Sequence, residues 1–308
     1  MKGTSCSLRL TDAFTRKNVL ILAHRGVSCA NIVDNTLESY DAALRQGADL
    51  VEVDVCATLD GDLFALHDGM EPVVLGTPES IVNMHTDEVR ALRYLNRNHI
   101  RIDHPINTFD EVLSHLKGRC LINLDRCWVC WEPVFEAVRR HGMEDQILFK
   151  SPPEEKYLAQ MAAQPVPYLY MPVVWYPEEV ALAESYDLNL AAVEVIGYRE
   201  DAPIMQPDYL ASLRDKGYAR LISSLTLGNP VHDPAGLAAR WGAAGSRMAG
   251  ALVDGNIYLA GGHDDDTAIL GDPDAGWGWL VARGFNILQT DWSLALSLYL
   301  KEAGYNPT

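Results

Sequence analysis

Residues 18–56 read NVLILAHRGVSCANIVDNTLESYDAALRQGADLVEVDVC, and this stretch sets the repeating unit of the chain. Its first segment, 18–24, is a β-branched and leucine-rich run of strand length. A polar connection follows, then 36–46, where Leu37, Tyr40, Ala43 and Leu44 recur at helical spacing. Gly47 closes that helix, and residues 50–56 form a second apolar run. A crossover helix returns the chain to the same end of the sheet, so the two strands are expected to be parallel.

Outward from this unit the pattern repeats. Strands are predicted at 120–125, 146–150, 166–174, 191–196, 220–224 and 285–290, which with the first two makes eight. Helical patterns lie between and after them, at 131–141, 154–163, 177–186, 207–216, 273–283 and 293–303. Several open on Pro or an N-capping residue and close on Gly, as at Gly142, Gly217 and Gly284. Eight strands, each with a helix, predict an α/β protein with a (β/α)8 TIM barrel rather than an open doubly wound sheet. No GxGxxG or P-loop sequence supports the open alternative. We read residues 1–308 as a single barrel domain with an insertion at about 57–118, opened by a hairpin turn at Leu59-Asp60-Gly61-Asp62. Residues 225–272, rich in Gly, Ala and Asp, read as a long loop over one face.

A net charge of −17 repels polyphosphate backbones and anionic membrane surfaces, so nucleic acid is not an expected partner. The longest apolar runs, such as Val19 to Ala23, are strand-sized, which excludes stable membrane insertion by a helix. Six cysteines in a chain of this length, with no signal-type segment in it, suit a reducing, cytoplasmic setting. Cys127 and Cys130 have CxxC spacing but no second pair, so both are read as unremarkable thiols. Composition leaves the oligomeric state open.

Barrel active sites gather where the strands end at their C-terminal side. The first predicted strand ends in Ala23-His24-Arg25-Gly26. The second carries Glu52 and Asp54 two residues apart, on one face of the strand. The added hairpin returns with Leu66-His67-Asp68, and the next barrel strands end at Asn123-Leu124-Asp125 and Phe149-Lys150-Ser151. Glu52, Asp54 and Asp125 converging on one mouth would repel one another without a cation. Oxygen-only ligands suit one divalent ion, Mg2+ or Ca2+ with Mn2+ also open, better than zinc.

These motifs resemble the glycerophosphodiester phosphodiesterase signature in order and spacing. Ala23-His24-Arg25-Gly26 is followed by Asp34-Asn35-Thr36, Glu52-Val53-Asp54-Val55, an Asp60-Gly61 turn and Leu66-His67-Asp68. Downstream, Ile106-Asn107-Thr108-Phe109-Asp110-Glu111-Val112-Leu113, Leu121-Ile122-Asn123-Leu124-Asp125 and Gln289-Thr290-Asp291 match more loosely. The resemblance implies a barrel hydrolase of lipid-derived phosphodiesters. In it Glu52, Asp54 and Asp125 hold the metal, His24 and His67 serve as general base and acid, and Arg25 binds phosphate. It further implies attack by a substrate hydroxyl and opening of a cyclic phosphate by water. Expected products are an alcohol and glycerol phosphate. Two rival readings are a phospholipase D-like enzyme or lyase that stops at the cyclic phosphate, and a non-catalytic barrel that binds a phosphorylated ligand.

The chain departs from the family pattern at three places. Asp34 stands where Glu is usual, Asp125 replaces a longer Glu, and Cys127 replaces a lysine. Alternation along the strand points Arg126 to the opposite face, so Lys150 is expected to restore the missing charge to the substrate. Outside the constellation, Gly261-Gly262-His263-Asp264-Asp265-Asp266 reads as a solvated acidic turn, and Trp277 and Trp279 as helix packing.

Overall fold

The computed structural model describes residues 10–226, 252–253, 256–257 and 259–307. Most of the loop expected at 225–272, including His232, lies outside the described residues. In chain order the strands are β1 (Leu20–Ala23), β2 (Leu50–Ala57), β3 (Leu63–Ala65), β4 (Leu121–Asp125), β5 (Ile147–Ser151) and β6 (Leu169–Val174). They continue with β7 (Asn189–Leu190), β8 (Ala192–Val195), β9 (Ala219–Ser223), β10 (Leu252–Val253), β11 (Asn256–Ile257) and β12 (Ile287–Thr290). Eight of these run parallel in the order β1-β12-β9-β8-β6-β5-β4-β2, and β1 pairs with β2 to close the ring. This is a (β/α)8 barrel, and all eight predicted strands are in it.

Strand alternation explains where the site sits. On β2, Val51, Val53 and Val55 face outward into the helix layer, with Ile122, Leu124 and Phe149 from the neighbouring strands. The other set faces the barrel axis. Its floor is apolar, with Leu20, Leu22, Leu50, Leu121, Leu148, Leu221 and Ile287 in one cluster. Burying each such side chain contributes about 1.5–3 kcal/mol. One or two residues further along the same strands the inward set turns polar: Glu52, Asn123, Lys150, Glu194 and Gln289 are all buried. The register Glu52↔Asn123 and Asp54↔Asp125 stacks that layer toward the C-terminal mouth.

Between β2 and β4 the chain makes the expected hairpin, β3 returning antiparallel with Val55↔Ala65. Short helices follow at Glu71–Val74 and Thr86–Ala91, then Phe109–Leu116, whose N-terminus is closed by a Thr108 and Glu111 capping box. One predicted helix is altered. Over 273–283 the chain forms a wide π turn at Asp274–Gly278 before an α-helix at Trp279–Arg283. A side chain at Gly276 would place Cβ 2.8–3.0 Å from Ala268 atoms, so the glycine allows the close approach. Among the described residues no helix is long and apolar enough to cross a membrane.

Candidate active site

The mouth is built by turns that break the alternation of the strands. After β1, Arg25 adopts φ 54 and Gly26 φ 82. Any Cβ at Gly26 would lie 2.5–2.7 Å from Ser39 atoms, whose Oγ donates to Arg25 O at 3.0 Å. The turn is thereby pressed onto the helix that follows β1, Leu37–Arg45, whose start is capped by Thr36. Just before that cap, Asn35 (φ 57) donates from Nδ2 to Asp54 Oδ2 at 2.8 Å and accepts from Asp54 N at 3.1 Å. The Asp34-Asn35-Thr36 motif therefore fixes Asp54 and starts the helix together.

Every predicted site residue lies at this mouth. His24, Arg25, Glu52, His67, Asp125 and Lys150 line one cavity of about 170 Å³. Asp54 is buried beside it, with Arg25 Nε 3.1 Å from its Oδ2. Carboxylate oxygens of Glu52, Asp54 and Asp125 all lie within 4.8 Å of one another. Lys150, 3% exposed, places Nζ 3.1 Å from Glu52 Oε1, 2.8 Å from Asp125 Oδ2 and 3.2 Å from Glu194 Oε2. An ammonium has three N–H groups, and three carboxylates meet them.

The two histidines are held differently. His24 Nδ1 bonds to Asp291 Oδ1 at 2.8 Å, and its Nε2 lies 3.6 Å from Glu52 Oε2. Burial lowers its pKa, but Glu52 and then Asp291 outweigh this and raise it. His67 donates from Nδ1 to the carbonyl of Asp68 at 2.8 Å. Its pKa is lowered, first by burial and then by Arg25 and Arg126, against the pull of Asp54. Burial also pushes Glu52 up to about 7, although Lys150 and His24 oppose it. Asp54 and Asp125 are held below the usual carboxylate range despite burial, Asp54 by His67 and Arg25 and Asp125 chiefly by Lys150.

The donor set suits a hard cation. Among the described residues Glu52 Oε2 and Asp54 Oδ1 are buried oxygens without a hydrogen-bond partner, and Asp125 offers a third carboxylate. Unsatisfied buried carboxylate oxygens are costly, and a divalent ion would repay that cost. The same cavity is also lined by the apolar Trp128, Val173, Trp175, Ile196, Leu225 and Leu259.

The glycerophosphoryl diester phosphodiesterase family model matches residues 24–156, the stretch that carries His24, Arg25, Glu52, Asp54, His67, Asp125 and Lys150. The match covers less than half of the chain, and over that stretch the sequence is similar to this family. A domain of unknown function matches residues 256–300. YqiK of Bacillus subtilis, an uncharacterised protein, is 29% identical over 139 residues, covering 42% of this chain and 57% of YqiK. A probable glycerophosphodiester phosphodiesterase of Mycobacterium tuberculosis is 52% identical over 48 residues, 16% of this chain and 17% of that protein. The chain thus spans little more than half of one curated relative and a sixth of the other. A glycerophosphoryl diester phosphodiesterase from Parabacteroides distasonis shares the fold, with TM-score 0.67, 13% identity and coverage of 97% of this chain and 93% of that one.

One expectation about the site needs correcting. Arg126 does not point to the far face. Its φ of 62 ends the β4 alternation one residue early, so Arg126 lines the cavity, with Nε 3.2 Å from Asp68 Oδ1. Cys127 turns into the core instead, in one cluster with Trp131 and Phe149. Arg126 therefore adds a second cation to the mouth besides Lys150, which pairs with Asp125. Sequence reasoning also missed Glu194 and Asp291. Glu194 carried a signal like that of Glu52, an acid within an apolar strand run, but without a second carboxylate two residues on.

Proposed function

We propose that this protein is a metal-dependent glycerophosphodiester phosphodiesterase. The observation that carries the reading is one mouth holding two histidines, two arginines and three carboxylates, two of whose buried oxygens have no hydrogen-bond partner among the described residues. Glu52, Asp54 and Asp125 would hold the divalent ion, Mg2+ or Ca2+ or Mn2+, which when bound supplies Lewis-acid polarisation of a phosphoryl oxygen. Lys150 balances the carboxylate layer, keeping Glu52 and Asp125 in place. Arg25 and Arg126 bring positive charge to the non-bridging oxygens, and such preorganised charge is usually the largest catalytic contribution. His24 and His67 divide the proton transfers. One takes the proton of the attacking substrate hydroxyl as the P–O bond forms, and the other gives a proton to the departing alkoxide. Water then opens the cyclic phosphate with the two roles exchanged. In this reading residues 1–308 act as a single barrel domain whose 57–118 insertion carries His67.

A hydrolysis screen over glycerophosphodiesters, each with and without chelator, tests this. Release of an alcohol and glycerol phosphate, lost reversibly in chelator, is expected. Glu52→Gln should raise the metal concentration required. Cleavage of none of the diesters with Mg2+, Ca2+ or Mn2+, or full activity in excess chelator, refutes it. A persistent cyclic phosphate in phosphorus NMR would replace it with a lyase.

A further inference from the structure

Of the acidic run at Asp264, Asp265 and Asp266, two members behave as a surface turn. Asp264 caps the start of the next turn by accepting from Thr267 N at 2.9 Å, and Asp266 is exposed. Asp265 does not. It is 2% exposed, and no cation is among its hydrogen-bond partners within the described residues. Its Oδ1 accepts from Ser224 Oγ at 2.7 Å, Trp277 Nε1 at 2.8 Å and Thr290 Oγ1 at 2.9 Å. Its Oδ2 accepts from Thr290 Oγ1 at 2.9 Å and from Asp291 N at 3.1 Å. A buried carboxylate with no counter-charge is expensive, and a bare structural bond could be made by a neutral group.

We propose that Asp265 is a positioning residue for His24: it fixes the turn after β12 from which Asp291 holds the His24 imidazole. The Asp291 side chain is 55% exposed, so its own surroundings do little to define where it points. Its backbone is defined by the Asp265 bond, and Thr290 Oγ1 also receives Trp292 N at 2.9 Å. On the other side, His24 N donates to Thr290 O at 3.1 Å. The path from Asp265 to the Nδ1 of His24 thus has two hydrogen bonds: Asp291 N to Asp265 Oδ2, then the imidazole to Asp291 Oδ1. Fixing Nδ1 fixes the ring orientation and leaves Nε2 on the side of the carboxylates. Asp265, Trp277, Thr290 and Asp291 all belong to the 256–300 stretch matched by a domain of unknown function, and the geometry gives that stretch a task.

Asp265→Asn is the informative variant, because it is isosteric and selective. Its amide oxygen can replace Oδ1 and keep Ser224, Trp277 and Thr290, while the amide N–H2 then faces the Asp291 N–H, donor against donor. The first readout needs no substrate: the downfield imidazole N–H proton of His24, assigned by its loss in His24→Gln. It should vanish or shift in Asp265→Asn and persist in Trp277→Phe, which removes a donor to the same carboxylate without touching Asp291. The second readout rests on the phosphodiesterase reading. It is a double-mutant cycle on kcat with Asp291→Asn. Each single variant should lose roughly 10-fold, the lower scale for an orienting partner, with KM within about twofold, and the double variant no more than the weaker of the two. If Asp265→Asn cannot be purified folded, Asp265→Ser takes the same measurements. An unchanged His24 signal, or losses that multiply in the double variant, overturns the proposal. Absence of any turnover in wild type would sink the phosphodiesterase reading and leave the NMR test standing.

Discussion

Replacing Lys150 by Met keeps most of the side-chain volume and deletes the ammonium that holds Glu52, Asp125 and Glu194 at 2.8–3.2 Å. Three carboxylates would then share one buried layer with that counter-charge gone. Removing one partner of a buried ion pair costs about 3–5 kcal/mol, and a shared partner belongs at the upper end. At about 2–4 °C per kcal/mol, the melting temperature should fall by roughly 10–20 °C when measured in chelator. A divalent cation placed among Glu52, Asp54 and Asp125 returns positive charge to the layer. The cation-induced rise in melting temperature should therefore be larger in the variant, and half of it should be reached at a lower metal concentration than in wild type. Adding Glu194→Gln removes one of the stranded carboxylates and should recover part of the loss without metal. The assay is thermal unfolding of the three proteins across a metal titration. A Lys150→Met protein that melts within about 2 °C of wild type in chelator, with the same metal response, would refute the charge balance argued here.

Three further outcomes follow from the geometry. Cys127→Lys should not restore a phosphate-binding cation but should destabilise by more than about 4 kcal/mol, because it buries an ammonium against Trp131 and Phe149; unchanged denaturant unfolding would show that residue 127 faces the mouth after all. Arg126→Gln should lower kcat/KM by roughly 10²-fold with little change in unfolding, and wild-type kinetics would remove Arg126 from the site. Burial pushes the Asp265 carboxyl up to about 6, although Trp277, Ser224, Thr290 and the Asp291 N–H pull it down. The folded chain therefore binds this proton more tightly than the unfolded chain, so stability relative to Asp265→Asn should decline between about pH 4 and 6. The decline should reach roughly 3 kcal/mol and then level off. Urea unfolding of both proteins from pH 4 to 7 measures it, and a relative gain over that range contradicts it.

The eight strands were readable because buried barrel strands need apolar residues on both faces, and few other segments in the chain combine such runs with strand length. His24, Glu52, Asp54 and Asp125 were readable because charge inside or at the end of such a run demands a reason. Arg126 was misread for a physical cause: alternation holds only while φ stays negative, and a left-handed residue puts two neighbours on the same side. Nothing in the letters Leu-Asp-Arg-Cys marks that turn. Asp265 was misread because an acidic run usually faces water, and its burial depends on Ser224, Trp277 and Thr290, partners from distant parts of the chain. Asp291 stood in a quoted motif, yet its pairing with His24 spans 267 residues and needs the closed ring.

That ring closure has a kinetic consequence. β1 lies between β2 and β12, its amides at Asn18 and Val19 are received by Asn306 Oδ1 at 3.0 Å, and the His24–Asp291 bond crosses the same seam. During refolding the seam joins the most distant segments of the chain, and such loops are entropically slow to close. An early βαβ half can form its helices and several strands and still leave His24 unoriented. Appearance of the His24–Asp291 bond should then trail recovery of helical circular dichroism, and its lag is a clock for the moment when β1 meets β12.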